Sequence, residues 1–166
     1  MSVQGPLGNQ VGRGWWLWLR SRWLYPPRIR DVEEAGRERA SPGELEAVVL
    51  SPSDVDLIAR LVKAEAEGEP YGGQVAVAAV VLNRLRSPSF PGDVRGVIYQ
   101  RGQFESVTNG RINEPADDIH FRAVEDALSG RDPSKGALFF FNPSGTDDTF
   151  VHSLAVTTRI GRHTFA

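Results

Sequence analysis

The stretch Ala64-Glu65-Ala66-Glu67-Gly68-Glu69-Pro70 decides the fold, because an apolar helix runs into it, an acid-rich turn closes it and a second apolar helix leaves it. Upstream, Ser53 and Asp56 have the spacing of a capping box, and Val55, Ile58, Leu61 and Val62 recur at helical intervals. Glu65 continues that stripe, four residues after Leu61 and three after Val62, so an unbroken helix aims its carboxyl at the core or at a cleft. Glu67 falls about 200° further round. That places it on the wet face, one turn from Lys63 as an i,i+4 pair, while Glu69 lies beyond Gly68 in the turn.

A carboxyl held against apolar side chains keeps its proton to higher pH, since burial disfavours the charged form. In that environment a glutamic acid becomes a proton donor near neutrality. On helix geometry alone a second reading stays open, in which the helix frays over Ala64 to Gly68 and all three glutamates are solvated. Acids at a helix C-terminus also oppose the helix dipole, so three of them call for a reason other than stability.

The 166 residues fit one domain with an appendage, and their apolar and charged fractions are those of a water-soluble globular chain. The formal charge of −2 gives no footprint for nucleic acid, and no nucleic-acid partner is expected. The absence of cysteine excludes a disulfide framework, a thiolate zinc site and a cysteine nucleophile. Charge is uneven along the chain. Residues 1–30 hold Arg13, Arg20, Arg22, Arg28 and Arg30 with no acid, whereas residues 31–50 hold six acids against Arg37 and Arg39. Trp15, Trp16, Trp18 and Trp23 are interleaved with arginine, a pattern suited to membrane-surface contact, an anionic polymer or docking onto a partner. The apolar run is too short to span a bilayer and lacks the form of a secretory signal. Residues 1–52 therefore read as a poorly ordered arm and linker, with a short amphipathic helix around Val32–Arg39, and residues 53–166 as the folded domain.

Downstream, Pro70 opens a second helix. Val75, Val77, Ala78, Ala79, Val80, Val81, Leu82 and Leu85 make it apolar on most sides, and hence central, until Ser87-Pro88 ends it. Val94, Val97 and Ile98 suggest a short helix, and Gln103-Phe104 with Asn109-Gly110 suggests a hairpin beside a cleft. Phe121, Val124, Ala127 and Leu128 mark a further helix between Asp117 and Ser129, closed by Gly130. Asp132-Pro133 opens a turn, Ala137–Phe141 reads as a buried strand, and Arg159–Phe165 alternates so as to pair with it. The expected fold class is α+β, mainly helical with a small antiparallel sheet.

From Asp56 to Phe165 the chain resembles the spore cortex-lytic type of bacterial cell-wall hydrolase. The likeness rests on Glu65-Ala66-Glu67-Gly68-Glu69-Pro70, on Gly73 to Arg84, on Ser87-Pro88-Ser89-Phe90-Pro91 and on Gly96-Val97-Ile98-Tyr99-Gln100. It continues through Gln103-Phe104, Asp132-Pro133, Gly136-Ala137-Leu138, Phe141-Asn142-Pro143 and Arg159-Ile160-Gly161-Arg162-His163. The resemblance implies a lysozyme-like domain that cuts peptidoglycan glycan strands as a lytic transglycosylase, without cofactor or metal, with Glu65 as the catalytic acid. It implies a cell-wall or spore-associated, extracytoplasmic location, although neither a conventional signal peptide nor a wall-binding repeat is recognisable. The chain departs from the family at Glu67, where arginine is frequent, and at Glu105, where a small residue is usual.

Glycosidic cleavage needs a proton on the leaving oxygen, which Glu65 can supply, and Glu105 offers a second carboxyl for a two-carboxylate glycoside hydrolase. Glu69, Asn83, Tyr99, Gln103, Phe104, Phe141 and Asn142 are the candidate substrate-binding residues. For Phe141 the alternative is a core position, and for Asn83 it is a buried amide tying helix to loop. A zinc-dependent amidase using His120, His152 and His163 has scattered ligands against it, and an Asp147-Asp148 calcium loop lacks the spacing of a dedicated site. A non-catalytic protein that binds wall or membrane through the tryptophan arm is the alternative from another class.

Overall fold

The structure is a computed structural model and describes residues 50–145 and 149–166. The tryptophan arm, the Val32–Arg39 helix and Asp147-Asp148 lie outside these residues.

Helix α1, Pro52–Ala66, starts two residues earlier than the sequence suggests. Ser51 is its N-cap: the Ser51 amide donates to Asp54 Oδ2 at 3.0 Å and the Asp54 amide donates to Ser51 Oγ at 3.2 Å. Pro52 explains the shift, since proline is accommodated in a first turn where no intrahelical donor is needed. Asp56, expected in the box, instead pairs with Arg60 at 2.9 Å. The helix continues unbroken through Glu65, with Leu57, Ile58, Leu61, Val62 and Ala66 buried.

Helix α2, Tyr71–Arg86, follows directly after Pro70. Every residue from Gly73 to Leu82 is buried, so the helix is central. It packs against α1 and against α5, Asp118–Leu128. Its four valines are indifferent helix formers, and burial of each side chain, worth roughly 1.5–3 kcal/mol, outweighs that preference. Ser87 leaves the helix with extended backbone ahead of Pro88.

Short helix α3, Val94–Ile98, is capped by Asp93, whose Oδ1 accepts from the Gly96 amide at 2.7 Å. The segment expected as a hairpin is helical instead: α4 spans Glu105–Asn109 and a 3-10 turn spans Arg111–Asn113. Gly110, at φ 85°, joins the two. An Asn-Gly pair suits a hairpin turn and a helix stop equally, and here it stops a helix.

The sheet is antiparallel in the order β1-β3-β2, from β1 (Phe140–Phe141), β2 (Thr158–Ile160) and β3 (His163–Phe165), with helix α6 (Thr149–Ser153) ahead of β2. Phe140 pairs with Phe165, and Ile160 with His163. Two expectations change. Residues 159–165 form a hairpin turning at Gly161 rather than one strand, and only residues 140–141 of the expected 137–141 strand enter the ladder. The first carbonyls of the lead-in are taken by α2, since Asn83 Nδ2 donates to the Ala137 carbonyl at 3.1 Å and Arg84 Nε to the Leu138 carbonyl at 2.7 Å, while the Leu138 and Phe139 amides both donate to the Ala166 carbonyl.

Candidate active site

Glu65 lies in the last turn of α1 and is half-buried. Its Oε1 accepts the Ser106 amide, in α4, at 3.2 Å. Burial raises the affinity of this carboxyl for its proton above the ordinary glutamate range, and the nearby charge of Glu105 adds to the effect. Ser106 and the charge of Arg111 pull the other way without reversing it.

Glu67 is exposed, as expected, but its partner is Arg111 at 3.6 Å rather than Lys63. Lys63 turns to the loop ahead of α5, donating to the Pro115 carbonyl at 2.9 Å and pairing with Asp117 at 3.0 Å.

Glu69 has an ionic role in the structure. Its side chain is only 2% exposed, and it accepts from the Arg162 amide at 2.8 Å on Oε2 and from Arg162 Nε at 2.7 Å on Oε1. Burial pushes this carboxyl up, but the two Arg162 hydrogen bonds and the charges of His163 and Arg162 together hold it below the ordinary range. The clasp depends on Gly161, at φ 59°: a Cβ there would collide with the Glu69 carboxylate and lie 2.8 Å from Pro70 Cδ.

Asn83 is likewise engaged, donating to Asp132 Oδ2 and to the Ala137 carbonyl, both at 3.1 Å, so it ties α2 to the loop before β1. Tyr99 is 39% exposed at the end of α3, with the Arg95 guanidinium 5.1 Å from its ring centre. Gln103 is half-buried, and its Nε2 is buried without a hydrogen-bond partner. Phe104 is buried against the Phe140 ring at 6.0 Å, and Phe141 is buried with the His152 ring edge-on at 5.6 Å, so both pack in the interior. Asn142 is exposed, its Oδ1 accepting the Ser144 amide at 3.0 Å. Glu105 is exposed at the start of α4, next to the serine that touches Glu65.

The three histidines serve separate elements. His120 Nδ1 accepts the Asp117 amide at the start of α5 at 3.1 Å, His152 meets Phe141, and His163 lies tilted against the Phe140 ring at 5.1 Å. Among the described residues no group of three or more histidine, aspartate and glutamate side chains is arranged to hold a metal ion.

Sequence reasoning missed Ser106, Arg162 and Arg84. Ser106 and Arg162 reach their glutamates across 41 and 93 residues, with no local pattern to announce them. Arg84 carried a signal, a cation in a helix apolar on most sides. It is 3% exposed, and its guanidinium lies 4.9, 5.2 and 5.5 Å from the rings of Phe90, Phe104 and Phe139. Burial lowers its pKa to about 9.

Two packed helices, a carboxyl at the end of one of them and a small sheet alongside define a lysozyme-like α+β domain. The family model described as Cell Wall Hydrolase matches residues 68–166, just beyond Glu65, and the chain belongs to that family. It is 50% identical over 115 residues to the spore cortex-lytic enzyme of Halalkalibacterium halodurans, covering 69% of this chain and 35% of that protein. It is 38% identical over 126 residues to the cell wall hydrolase CwlJ of Bacillus subtilis, covering 72% of this chain and 89% of that one. The crystal structure of the catalytic domain of the Bacillus cereus SleB protein superposes with a TM-score of 0.70 at 40% identity, covering 75% of this chain and 98% of that one. The catalytic domain of the germination-specific lytic transglycosylase SleB from Bacillus anthracis gives a TM-score of 0.67 at 41% identity, covering 70% and 95%. The chain spans between 35% and 44% of the length of the spore cortex-lytic enzymes it matches.

Proposed function

We propose that the domain cleaves peptidoglycan glycan strands as a lytic transglycosylase, with Glu65 as general acid and then general base. The observation that carries this reading is the environment of Glu65, half-buried and with raised proton affinity, at the end of a helix that leads into the segment matching the cell wall hydrolase family. Glu65 gives its proton to the glycosidic oxygen as the bond from the anomeric carbon breaks and oxocarbenium character develops. The C6 hydroxyl of the same sugar attacks that carbon, and its proton returns to Glu65. The products are a free hydroxyl on the leaving sugar and a 1,6-anhydro-muramic acid end, with no water consumed.

Exposed Tyr99 and Asn142, together with half-buried Gln103, supply the contact surface for sugar in this proposal. Phe104 and Phe141 shape that surface from beneath, and Glu69 and Asn83 hold the elements that form it. Similarity to spore cortex-lytic enzymes supports the spore cortex as the substrate layer and an extracytoplasmic place of action. The tryptophan-rich arm is assigned to membrane-surface contact, and residues 53–166 to catalysis.

Glu105 motivates the competing reading, a two-carboxylate hydrolase that admits water. Such a site needs its carboxyls about 5–5.5 Å apart for retention or about 6.5–9.5 Å for inversion. Fragments of digested wall, weighed with and without borohydride reduction, separate the two. Anhydro ends resist reduction and weigh one water less. Fully reducible fragments would replace the transglycosylase reading with hydrolysis, and inert wall would remove both.

A further inference from the structure

Ser106 is 2% exposed, and its two donors stand in different states. The amide already reaches Glu65 Oε1, at the long end of hydrogen-bond distance, 3.2 Å. The hydroxyl is buried, has no partner at ordinary hydrogen-bond geometry, and acts on the Glu65 carboxyl as a side-chain donor that favours its charged form. A buried hydroxyl without a partner is costly and calls for a reason. The reaction assigned to Glu65 supplies one. The carboxyl begins protonated and becomes a carboxylate once the leaving oxygen has taken the proton. A carboxylate accepts hydrogen bonds at both oxygens, and bonds to it are shorter and stronger than bonds to the neutral acid.

We propose that Ser106 is a positioning residue for Glu65, its amide and hydroxyl forming a two-donor cradle that receives the carboxylate left after proton transfer. In the structure the amide is the donor at hydrogen-bond distance from the carboxyl. When the proton leaves, the hydroxyl turns to the second oxygen and the amide bond tightens, so the acid is stabilised in the form that must next act as base. The cradle thus favours the charged state formed during the reaction over the resting one. The charged groups acting on the same carboxyl are Glu105 of α4, which opposes ionisation, and Arg111 of the 3-10 turn, which assists it. Ser106 differs from both in contacting Glu65 directly.

This assignment rests on Glu65 being the proton donor, and the test separates the two claims. The full chain and its Ser106→Ala and Ser106→Thr variants are assayed for initial rate on purified peptidoglycan across pH. The Glu65 carboxyl is titrated by carbon NMR in the same proteins without substrate. Ser106→Ala is expected to lower the rate about tenfold, the scale of one lost hydrogen bond to a charged group. It is also expected to move the alkaline limb of the rate profile and the Glu65 titration upward together, and Ser106→Thr, which keeps the hydroxyl, to restore both. An unchanged titration in Ser106→Ala overturns the cradle, whether or not rate or melting temperature falls, because a structural role would lower those without moving the carboxyl. Should wild type and Glu65→Gln cleave equally well, the proton-donor assignment fails, and the substrate-free titration still decides the role of Ser106.

Discussion

Glu65 and Glu69 are four residues apart in one stretch of chain, yet their surroundings shift their proton affinities in opposite directions. Glu65 is half-buried, accepts one long backbone hydrogen bond and feels the like charge of Glu105, so burial and that charge raise its affinity for a proton. Glu69 is more fully enclosed, but Arg162 meets both of its oxygens and keeps it ionised. Burial acts in the same direction on both, and the donors opposite decide the outcome. The difference shows how one short acid-rich segment holds both a carboxyl with raised proton affinity, the proposed donor, and the clasp that fixes the chain beside it.

Exchanging the character of either carboxyl breaks the comparison, and the largest effect falls at Glu65. Glu65→Gln is expected to reduce glycan cleavage by about 10²–10⁴-fold, the usual contribution of a general acid, while Glu67→Gln stays within about twofold. Turbidity loss of purified wall measures both, and equal losses would remove the distinction between the buried and the exposed acid. Next comes Gly161→Ala, which puts a Cβ into the Glu69 carboxylate at a left-handed backbone position. It is expected to cost on the order of 3 kcal/mol, read from denaturant unfolding.

Glu69→Gln keeps the shape and removes the charge, for an expected loss of ~1–2 kcal/mol near neutrality, discounted because the Arg162 side chain is 70% exposed. The sign with pH follows from the lowered proton affinity of Glu69. The contribution of the clasp is complete above the reference value of 4.5 and fades as pH falls through the lower value held in the fold, so the Gln variant loses less on acidification. Glu65 has the opposite sign. Its affinity is raised in the fold, so its ionisation weakens the wild type as pH climbs from 4.5 through the raised value. Glu65→Gln should therefore be slightly more stable than wild type at neutral pH and match it below 4.5, and thermal melts at the two pH values check this. A Gln variant that is less stable at both would show that the carboxyl at 65 is not strained by its setting.

The parts of the fold that could be read in the sequence were those set by local spacing. Ile58, Leu61, Val62 and Glu65 share a helical stripe, and the helix does run unbroken to Ala66. The run of valine and alanine in α2 announced a central helix, and Ser87-Pro88 announced its end. Asn109-Gly110 was ambiguous, because one left-handed residue ends a helix as readily as it turns a hairpin. The strand expected over 137–141 is confined to Phe140–Phe141, because side chains of α2 occupy the carbonyls of Ala137 and Leu138. Around the candidate site, the setting of Glu65 could be anticipated from its own helix, whereas Ser106 and Arg162 are defined by tertiary approach alone. Phe104 and Phe141 show the limit of reading aromatics as sugar platforms, since composition does not distinguish a ring that lines a surface from one packed beneath it.

The bond between Glu69 and Arg162 closes a loop of 93 residues. A contact that distant gains nothing until most of the intervening chain has surrendered its freedom, so it forms after local helices rather than with them. Helices α1 and α2 and the turn between them are local structure, able to form early with Glu65 already in place. The turn that follows Glu65 is fastened only when the β2–β3 hairpin docks its Gly161-Arg162 corner. The order of folding thus separates the arrival of the acid from the fixing of its neighbourhood, and the partly folded chain holds a carboxyl whose setting is still loose.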